Sequence, residues 1–139
     1  MADQRNLATL GKLAEAVSSG NLALLDEVFA PNVVDHDPAP DQGPGPAGYK
    51  RFFSEMRAAF PDLKVTVDRL VQNETDIAIA YTYHGTHRGT YAGIPPTGRR
   101  ITARGMEIAR FEDGKIVERW GSSDELGILL KLGAKVIPG

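Results

Sequence analysis

The chain has 139 residues, of which 42% are hydrophobic and 24% charged, a balance typical of one soluble globular domain, so we expect a single domain over residues 1–139. With 16 basic and 18 acidic side chains the net charge is −2, which gives no support for nucleic acid binding through phosphate neutralisation. The absence of Cys excludes disulfides, thiolate metal sites and cysteine nucleophiles. No apolar run reaches the roughly 18 residues of a membrane span, so we expect a cytoplasmic protein without a membrane partner.

The first 60 residues are predicted to be helical. Apolar residues recur at helical spacing over 7–19, and Gly20 is placed to end that helix. A shorter helix is predicted over 21–30, and a Pro- and Gly-rich loop follows over 35–48. The aromatic residues of 49–60 return to the helical period and predict a third helix.

The pattern then changes to the alternation that is typical of strands. Four strands are predicted, over 63–68, 77–88, 100–111 and 115–120. Between the last two, Asp113-Gly114 predicts a tight two-residue hairpin turn. Helices followed by a meander of strands predict an α+β fold, in which helices gather on one side of a curved antiparallel sheet and enclose a cavity.

A short helix is predicted after the last strand, with Ser122 and Glu125 as a capping box. Asp124 lies at this junction and is our first candidate for a general base, because it could project over the open end of the cavity. The alternative is structural, since an acid in the first turn of a helix is favoured by the helix dipole. The variant Asp124→Asn separates the two: a base costs more than about tenfold in rate with an unchanged melting temperature, whereas a cap costs stability alone.

His36 lies between Asp35 and Asp37, just before the Pro- and Gly-rich loop. It could donate a hydrogen bond to a substrate carbonyl, or it could be a turn histidine oriented by its acidic neighbours. The three residues do not predict a metal site, because adjacent side chains of an extended chain point to opposite sides.

The hairpin predicts which side chains share a face. Pairing outward from a two-residue turn puts Ile108 opposite Arg119 and Glu107 opposite Trp120. Glu107 and Trp120 then lie on one face, with Arg110 and Arg119 on the other, and the sequence leaves open which face lines the cavity. We take Glu107, Trp120 and Arg110 as candidate substrate contacts, although core packing and solvated surface are the commoner roles of such residues.

Tyr81, Tyr83 and His87 share one face of the second predicted strand, and His84 lies on the other. A buried tyrosine hydroxyl needs a hydrogen-bond partner, and a ligand oxygen is one such partner. Tyr83 and His87 are therefore further candidates for substrate binding.

Several short segments occur in order along nearly the whole chain. They are Ala59-Phe60-Pro61-Asp62-Leu63, Gly85-Thr86-His87-Arg88-Gly89, Gly93-Ile94-Pro95-Pro96-Thr97-Gly98-Arg99, Asp113-Gly114-Lys115-Ile116-Val117-Glu118-Arg119-Trp120, Asp124 and Leu132-Gly133. Together they resemble the SnoaL-like polyketide cyclase (ester cyclase) family. One position departs from the pattern: the family usually has His before the Trp, where this chain has Arg119.

The resemblance implies the cone fold of the nuclear transport factor 2-like superfamily, no cofactor and no metal. It also implies an intramolecular aldol condensation that closes a ring on a polyketide-like or aromatic ketone substrate. Asp124 matches the aspartate that removes a proton next to a carbonyl, and His36 matches a histidine of the family. A homodimer or higher homo-oligomer, packed through the outer sheet face, is expected.

Two alternatives accompany this expectation. The chain could be a non-catalytic small-molecule binding protein of the same fold, with Asp124 exposed to solvent. It could also catalyse another reaction on the same cone, of the epoxide hydrolase or ketosteroid isomerase type. Epoxide opening needs acid and base groups that position a water together, so a cavity with only one buried carboxylate would argue against it.

Overall fold

A computed structural model of the protein describes residues 3–139. Met1 and Ala2, which the predicted domain includes, lie outside the described residues. The helices are α1 (Gln4–Ser19), α2 (Leu25–Val28), α3 (Gly45–Ala59) and α4 (Glu125–Lys131), and a 3₁₀ turn (Leu22–Leu24) precedes α2. The strands are β1 (Phe29–Asp35), β2 (Lys64–Gln72), β3 (Asp76–Thr86), β4 (Arg100–Glu112) and β5 (Lys115–Ser123). The predicted α+β class is confirmed.

Helix boundaries follow from capping residues. Asp3 accepts a hydrogen bond from the backbone N–H of Arg5 and begins α1. Gly20 ends α1 with a positive φ of 83°, as its position predicts. Helix α3 begins four residues before the predicted start at Tyr49, and Pro46 fits its first turn because an N–H there has no partner within the helix.

The five strands form one curved, open sheet in the order β1-β5-β4-β3-β2. The four predicted strands pair antiparallel, as expected, and the additional strand β1 pairs parallel with β5. The sequence pattern does not predict strand β1, because its first residues continue a helical period and Pro31 favours the end of a helix. As an edge strand, β1 tolerates Pro31, since a missing N–H there need not break a ladder.

The predicted two-residue turn joins β4 to β5, with both of its residues at positive φ. A β-bulge lies next to the turn. Phe111 pairs with Ile116, but Arg110 pairs with Glu118, so Val117 is an extra residue on β5.

The bulge displaces the rest of β5 by one residue against β4. Ile108 pairs with Trp120 and Glu107 with Gly121, so the predicted register was wrong. Because side chains alternate between faces, this displacement puts Arg119 on the face of Glu107 and turns Trp120 to the opposite face.

The concave face of the sheet packs against α1 and α3. Phe29, Phe60, Leu25 and Leu63 are among the largest fully buried side chains of this core. Tyr81 on β3 lies across Gly105 on β4, where any Cβ would overlap the tyrosine ring. Glycine at this position therefore allows the tyrosine to lie flat beside the cavity described below.

Candidate active site

A cavity of about 270 Å³, called here the inner chamber, lies between the helices and the concave sheet face. Most of its wall is apolar or aromatic. This part of the wall comprises Leu10, Leu13, Ala14, Val17, Phe29, Phe52, Phe53, Val65, Val67 and Ile79. Such a wall excludes water and strengthens the electrostatic interactions of the few polar groups inside.

Three charged side chains form a polar floor in this chamber. Arg119 Nε donates to Glu107 Oε2 at 2.8 Å, and Arg119 Nη1 donates to the two Asp35 oxygens at 3.2 and 3.3 Å. The side chains of Asp35, Glu107 and Arg119 are only 7%, 10% and 18% exposed. The floor therefore carries two carboxylates around one guanidinium, largely shielded from bulk solvent.

The sheet topology brings these three residues together. Parallel pairing of β1 with β5 sets Asp35 beside Arg119, and the bulge in β5 turns Arg119 toward Glu107 on β4. Burial alone would lower the pKa of Arg119, but the Glu107 and Asp35 carboxylates raise it, so the guanidinium stays charged at all relevant pH values.

The carboxylates of Asp35 and Glu107 differ in the number of hydrogen bonds that they accept. Asp35 also accepts from the backbone N–H of Asp37 at 2.9 Å and from Gln42 Nε2 at 3.2 Å, so four donor contacts fix its position. Glu107 accepts through Oε2 only, and its Oε1 makes no hydrogen bond within residues 3–139. Glu107 is therefore the carboxylate with a free oxygen at the chamber floor.

Three tyrosines add hydroxyl groups to the chamber: Tyr49, Tyr81 and Tyr83. Its other polar lining residues are Asp37, Gln42, Ser122, Ser123 and Glu125. Burial raises the pKa of each phenol, and a neighbouring carboxylate adds to this effect, Asp35 for Tyr49 and Glu107 for Tyr81. All three stay protonated near neutral pH and can donate hydrogen bonds. Tyr49 Oη is buried and makes no hydrogen bond of regular geometry within the described residues.

The predicted substrate contacts lie on both sides of the sheet. Tyr83 and Glu107 line the inner chamber. Trp120 and Arg110 are exposed on the opposite, outer face. The bulge in β5 puts Trp120 there, whereas Arg110 lies there by the regular alternation of β4. His36 lies on that outer face as well: its ring stacks on Trp120 with 4.7 Å between centroids, and its Nε2 lies 2.9 Å from a Glu118 carboxylate oxygen.

Asp124 lies outside the inner chamber. Strand β5 continues to Ser123, three residues beyond its predicted end, and Asp124 follows it as the N-cap of α4. The Asp124 side chain is exposed and accepts from the backbone N–H of Gly127 at 2.9 Å, which is the role predicted for Ser122. It borders a surface groove that also contains Arg100 and Lys131.

His87 is fully buried beside Phe60, outside the inner chamber. Its Nδ1 accepts from the backbone N–H of Thr97 at 3.1 Å and lies 2.9 Å from the Thr97 hydroxyl. Because a backbone N–H can only donate, Nδ1 carries no proton and the neutral ring is protonated at Nε2. Through these contacts with Thr97, His87 holds the loop of residues 88–98 against the end of β3.

We predict that His87→Ala lowers the free energy of unfolding by about 2–4 kcal/mol, because it leaves a cavity and removes the bonds to Thr97. Urea denaturation measures this loss. His84→Ala, in an exposed position on the same strand, is the matched control and should stay within about 0.5 kcal/mol of the parent. Equal losses in the two variants would contradict this role of His87.

Arg119, Asp35 and Tyr49 were not predicted as site residues. From the sequence, Asp35 is weighed only as a neighbour of His36 and as a rejected metal ligand, because the pattern does not reveal the strand that carries it. Tyr49 was assigned to a helix by its periodicity, which carries no signal for the cavity. One signal pointed to Arg119: it stands before Trp120 at a position where the family usually has His, and an unusual residue at such a position is a candidate for the site.

The described part of the chain holds no cluster of three or more His, Asp or Glu side chains that could bind a metal ion. Within residues 3–139, no helix is both long enough and apolar enough to cross a membrane.

An open cone of helices and curved sheet with a polar floor is typical of the nuclear transport factor 2-like class, and the predicted fold is confirmed. Residues 8–132 match the SnoaL-like polyketide cyclase family, and the chain belongs to that family.

Comparisons with individual proteins agree with this assignment. The chain is 25% identical over 129 residues to the aklanonic acid methyl ester cyclase DauD of Streptomyces sp. (strain C5), with 88% of this chain and 78% of that protein covered. It is 29% identical over 90 residues to the nogalonic acid methyl ester cyclase of Streptomyces nogalater, covering 64% and 67% of the two chains.

Among solved structures, TsrD from Streptomyces laurentii has a TM-score of 0.88 at 26% identity, with 97% and 99% of the chains covered. Wild-type IdmH from Streptomyces antibioticus has a TM-score of 0.80 at 35% identity, with 93% and 99% covered.

Proposed function

We propose that the protein closes a ring on a polyketide-like ketone by an intramolecular aldol condensation that needs no cofactor. The observation that carries this proposal is the Asp35–Arg119–Glu107 floor inside an apolar chamber. The family assignment supports it, and two relatives carry the names of methyl ester cyclases.

Glu107 is the base in this proposal, because its Oε1 is free at the chamber floor. It takes the proton from the carbon next to a substrate carbonyl, and the electron pair of that C–H bond forms the enolate. The enolate carbon then attacks a second carbonyl of the same molecule, which forms one C–C bond and converts that carbonyl to an alkoxide. Glu107 returns the proton to the alkoxide, so all atoms of the substrate are retained in the ring-closed product.

The negative charge on the enolate oxygen is stabilised by a hydrogen-bond donor that is oriented before the reaction begins. Arg119 Nη2 donates to neither carboxylate of the floor and is the cationic candidate. The protonated hydroxyls of Tyr49 and Tyr81 are neutral candidates at the same wall. Donors fixed before the reaction stabilise developing charge without reorganisation, and the apolar wall holds the two reacting carbons together.

Incubation with aklanonic acid methyl ester, the compound in the name of one relative, tests the proposal. We expect a product of unchanged mass that has lost one ketone carbonyl signal and gained a hydroxyl carbon in its carbon NMR spectrum. A ligand that binds but is recovered unchanged would favour the non-catalytic binding protein instead.

Epoxide hydrolysis is a second candidate, and one observation favours it. The chamber holds two largely buried carboxylates rather than one, linked through Arg119, so an acid and a base could position a water together. The neutral probe 1-methylcyclohexene oxide distinguishes the reactions, since its hydrolysis adds the mass of one water. Turnover of this probe without ring closure of the ester would select the second candidate.

The catalytic roles of Asp124 and His36 stay predictions from the resemblance. Our proposal gives the base role to Glu107, because Asp124 is exposed and already accepts a helix-capping hydrogen bond. The cytoplasmic location and the single domain over residues 1–139 also stay predictions.

We further propose a homodimer through the outer sheet face. Met106, Ile108, Trp120 and Val34 are 65%, 46%, 37% and 50% exposed there. A second copy of the chain fits this face, because Arg110 and Glu118 on it supply both signs of charge for a two-fold contact. We expect Ile108→Glu to halve the mass measured by light scattering, whereas Leu7→Glu, at a partly exposed position of α1 on the concave side of the sheet, leaves it unchanged. A monomeric parent would contradict the dimer.

A further inference from the structure

A second cavity, called here the outer chamber, adjoins the inner chamber and has a volume of about 410 Å³. It lies between α3, α4, the loop before α3 and the loop after β3. Residues that line both chambers mark their common boundary, called here the waist. They are Ala39, Gln42, Phe52, Tyr83, Ser123 and Glu125.

The volumes limit the size of the ligand. Sites for drug-sized molecules measure about 300–1,000 Å³. The inner chamber alone, at about 270 Å³, is below this range, whereas the two chambers together are within it. A ligand of several rings with its reacting end at the polar floor must therefore extend past the waist.

The wall of the outer chamber suits an uncharged ring system. Phe52, Met56, Tyr91, Ile128 and Leu129 supply apolar and aromatic surface. The charged groups are mainly acidic: Asp41, Glu55 and Glu125 face the chamber along with Arg51, and Arg51 is paired with Glu55 at 3.2 Å. An anionic group would be repelled here, and a neutral aromatic group would not.

We propose that the two chambers form one binding cleft with Phe52 at the waist, and that Ile128 and Leu129 in the outer chamber make this cleft select among uncharged ligands by their length. One end of the ligand lies over the floor of Asp35, Arg119 and Glu107. The second ring system lies against Ile128 and Leu129, which set the length preference. This inference rests on the proposed function for the end that reacts, but binding alone tests it.

Chromone and flavone are a matched pair of probes, since flavone is chromone with one added phenyl ring and both are neutral ketones. We expect titration calorimetry to give the parent protein at least about tenfold higher affinity for flavone. Leu129→Trp, which fills the outer chamber, should remove most of this preference and leave chromone binding unchanged. Leu130→Trp is the control, because Leu130 is 48% exposed on the same helix and lines neither chamber.

Nuclear Overhauser contacts locate the added ring directly. The flavone phenyl protons should contact the methyl groups of Ile128, and the chromone protons of both probes should contact those of Ile79. Equal affinities for the two probes, no measurable flavone binding, or an unchanged preference in Leu129→Trp would overturn the proposal. The ring-closure assay on the same protein is a separate readout, so a failure of catalysis is distinguishable from a failure of the two-chamber cleft.

Discussion

Replacing Glu107 with Gln should lower the rate of ring closure by about 10²–10⁴-fold, because an amide cannot accept the proton that the enolate step releases. The amide keeps the size of the side chain and can still accept a hydrogen bond from Arg119. We therefore expect the loss in kcat rather than in KM, measured by following the consumption of the ester at saturating concentration.

Two variants control this experiment. Glu118→Gln changes the same residue type on the outer face, where Glu118 contacts His36, and should retain the parent rate. Asp124→Asn removes the sequence-predicted base, and we expect it to affect the N-terminus of α4 more than the rate. A large rate loss in Asp124→Asn with little loss in Glu107→Gln would reverse the assignment of the base.

Replacing Arg119 with Met should lower the free energy of unfolding by about 3–5 kcal/mol, because it leaves two largely buried carboxylates without their cation. Urea denaturation at neutral pH measures the loss. The triple variant Asp35→Asn, Glu107→Gln and Arg119→Met removes all three charges and should recover much of this stability. Ring closure should be lost in both variants.

Arg88→Met is the control, because Arg88 is an exposed arginine that follows the end of β3, outside the strands of the sheet. Its unfolding free energy should stay within about 0.5 kcal/mol of the parent. If Arg119→Met lost no more stability than this control, or if the triple variant were less stable than Arg119→Met, the floor would not be an ion network held by its central cation.

The sequence supports the fold prediction best where local physical chemistry decides the structure. Gly20 ends α1, and the turn at residues 113–114 joins β4 to β5, because positive φ is required at each site. Strand β1 is different. It is held by its parallel neighbour β5 rather than by a pattern of its own, and tertiary pairing of this kind leaves little local signal.

The site was predictable only in part. Tyr83 and Glu107 follow from strand alternation, which holds along β3 and along β4. Arg119 does not follow, since the extra residue Val117 reverses the alternation in β5, and a bulge is visible only once the partner strand is in place. His36 and Trp120 were assigned to the site by position, yet they stack on each other on the outer face.

Val117 decides which side chains face the hollow only because β5 accommodates it as an extra residue. If the strand straightened with every residue retained, Val117 would take the place opposite Arg110, the guanidinium of Arg119 would leave the hollow and the indole of Trp120 would enter it. A deletion of the Val117 codon would have no such effect, because Glu118 already lies opposite Arg110 and the pairs beyond it would be kept. A homologue with a hairpin one residue shorter therefore keeps the charged interior, whereas one of equal length without the kink exchanges it for an apolar one.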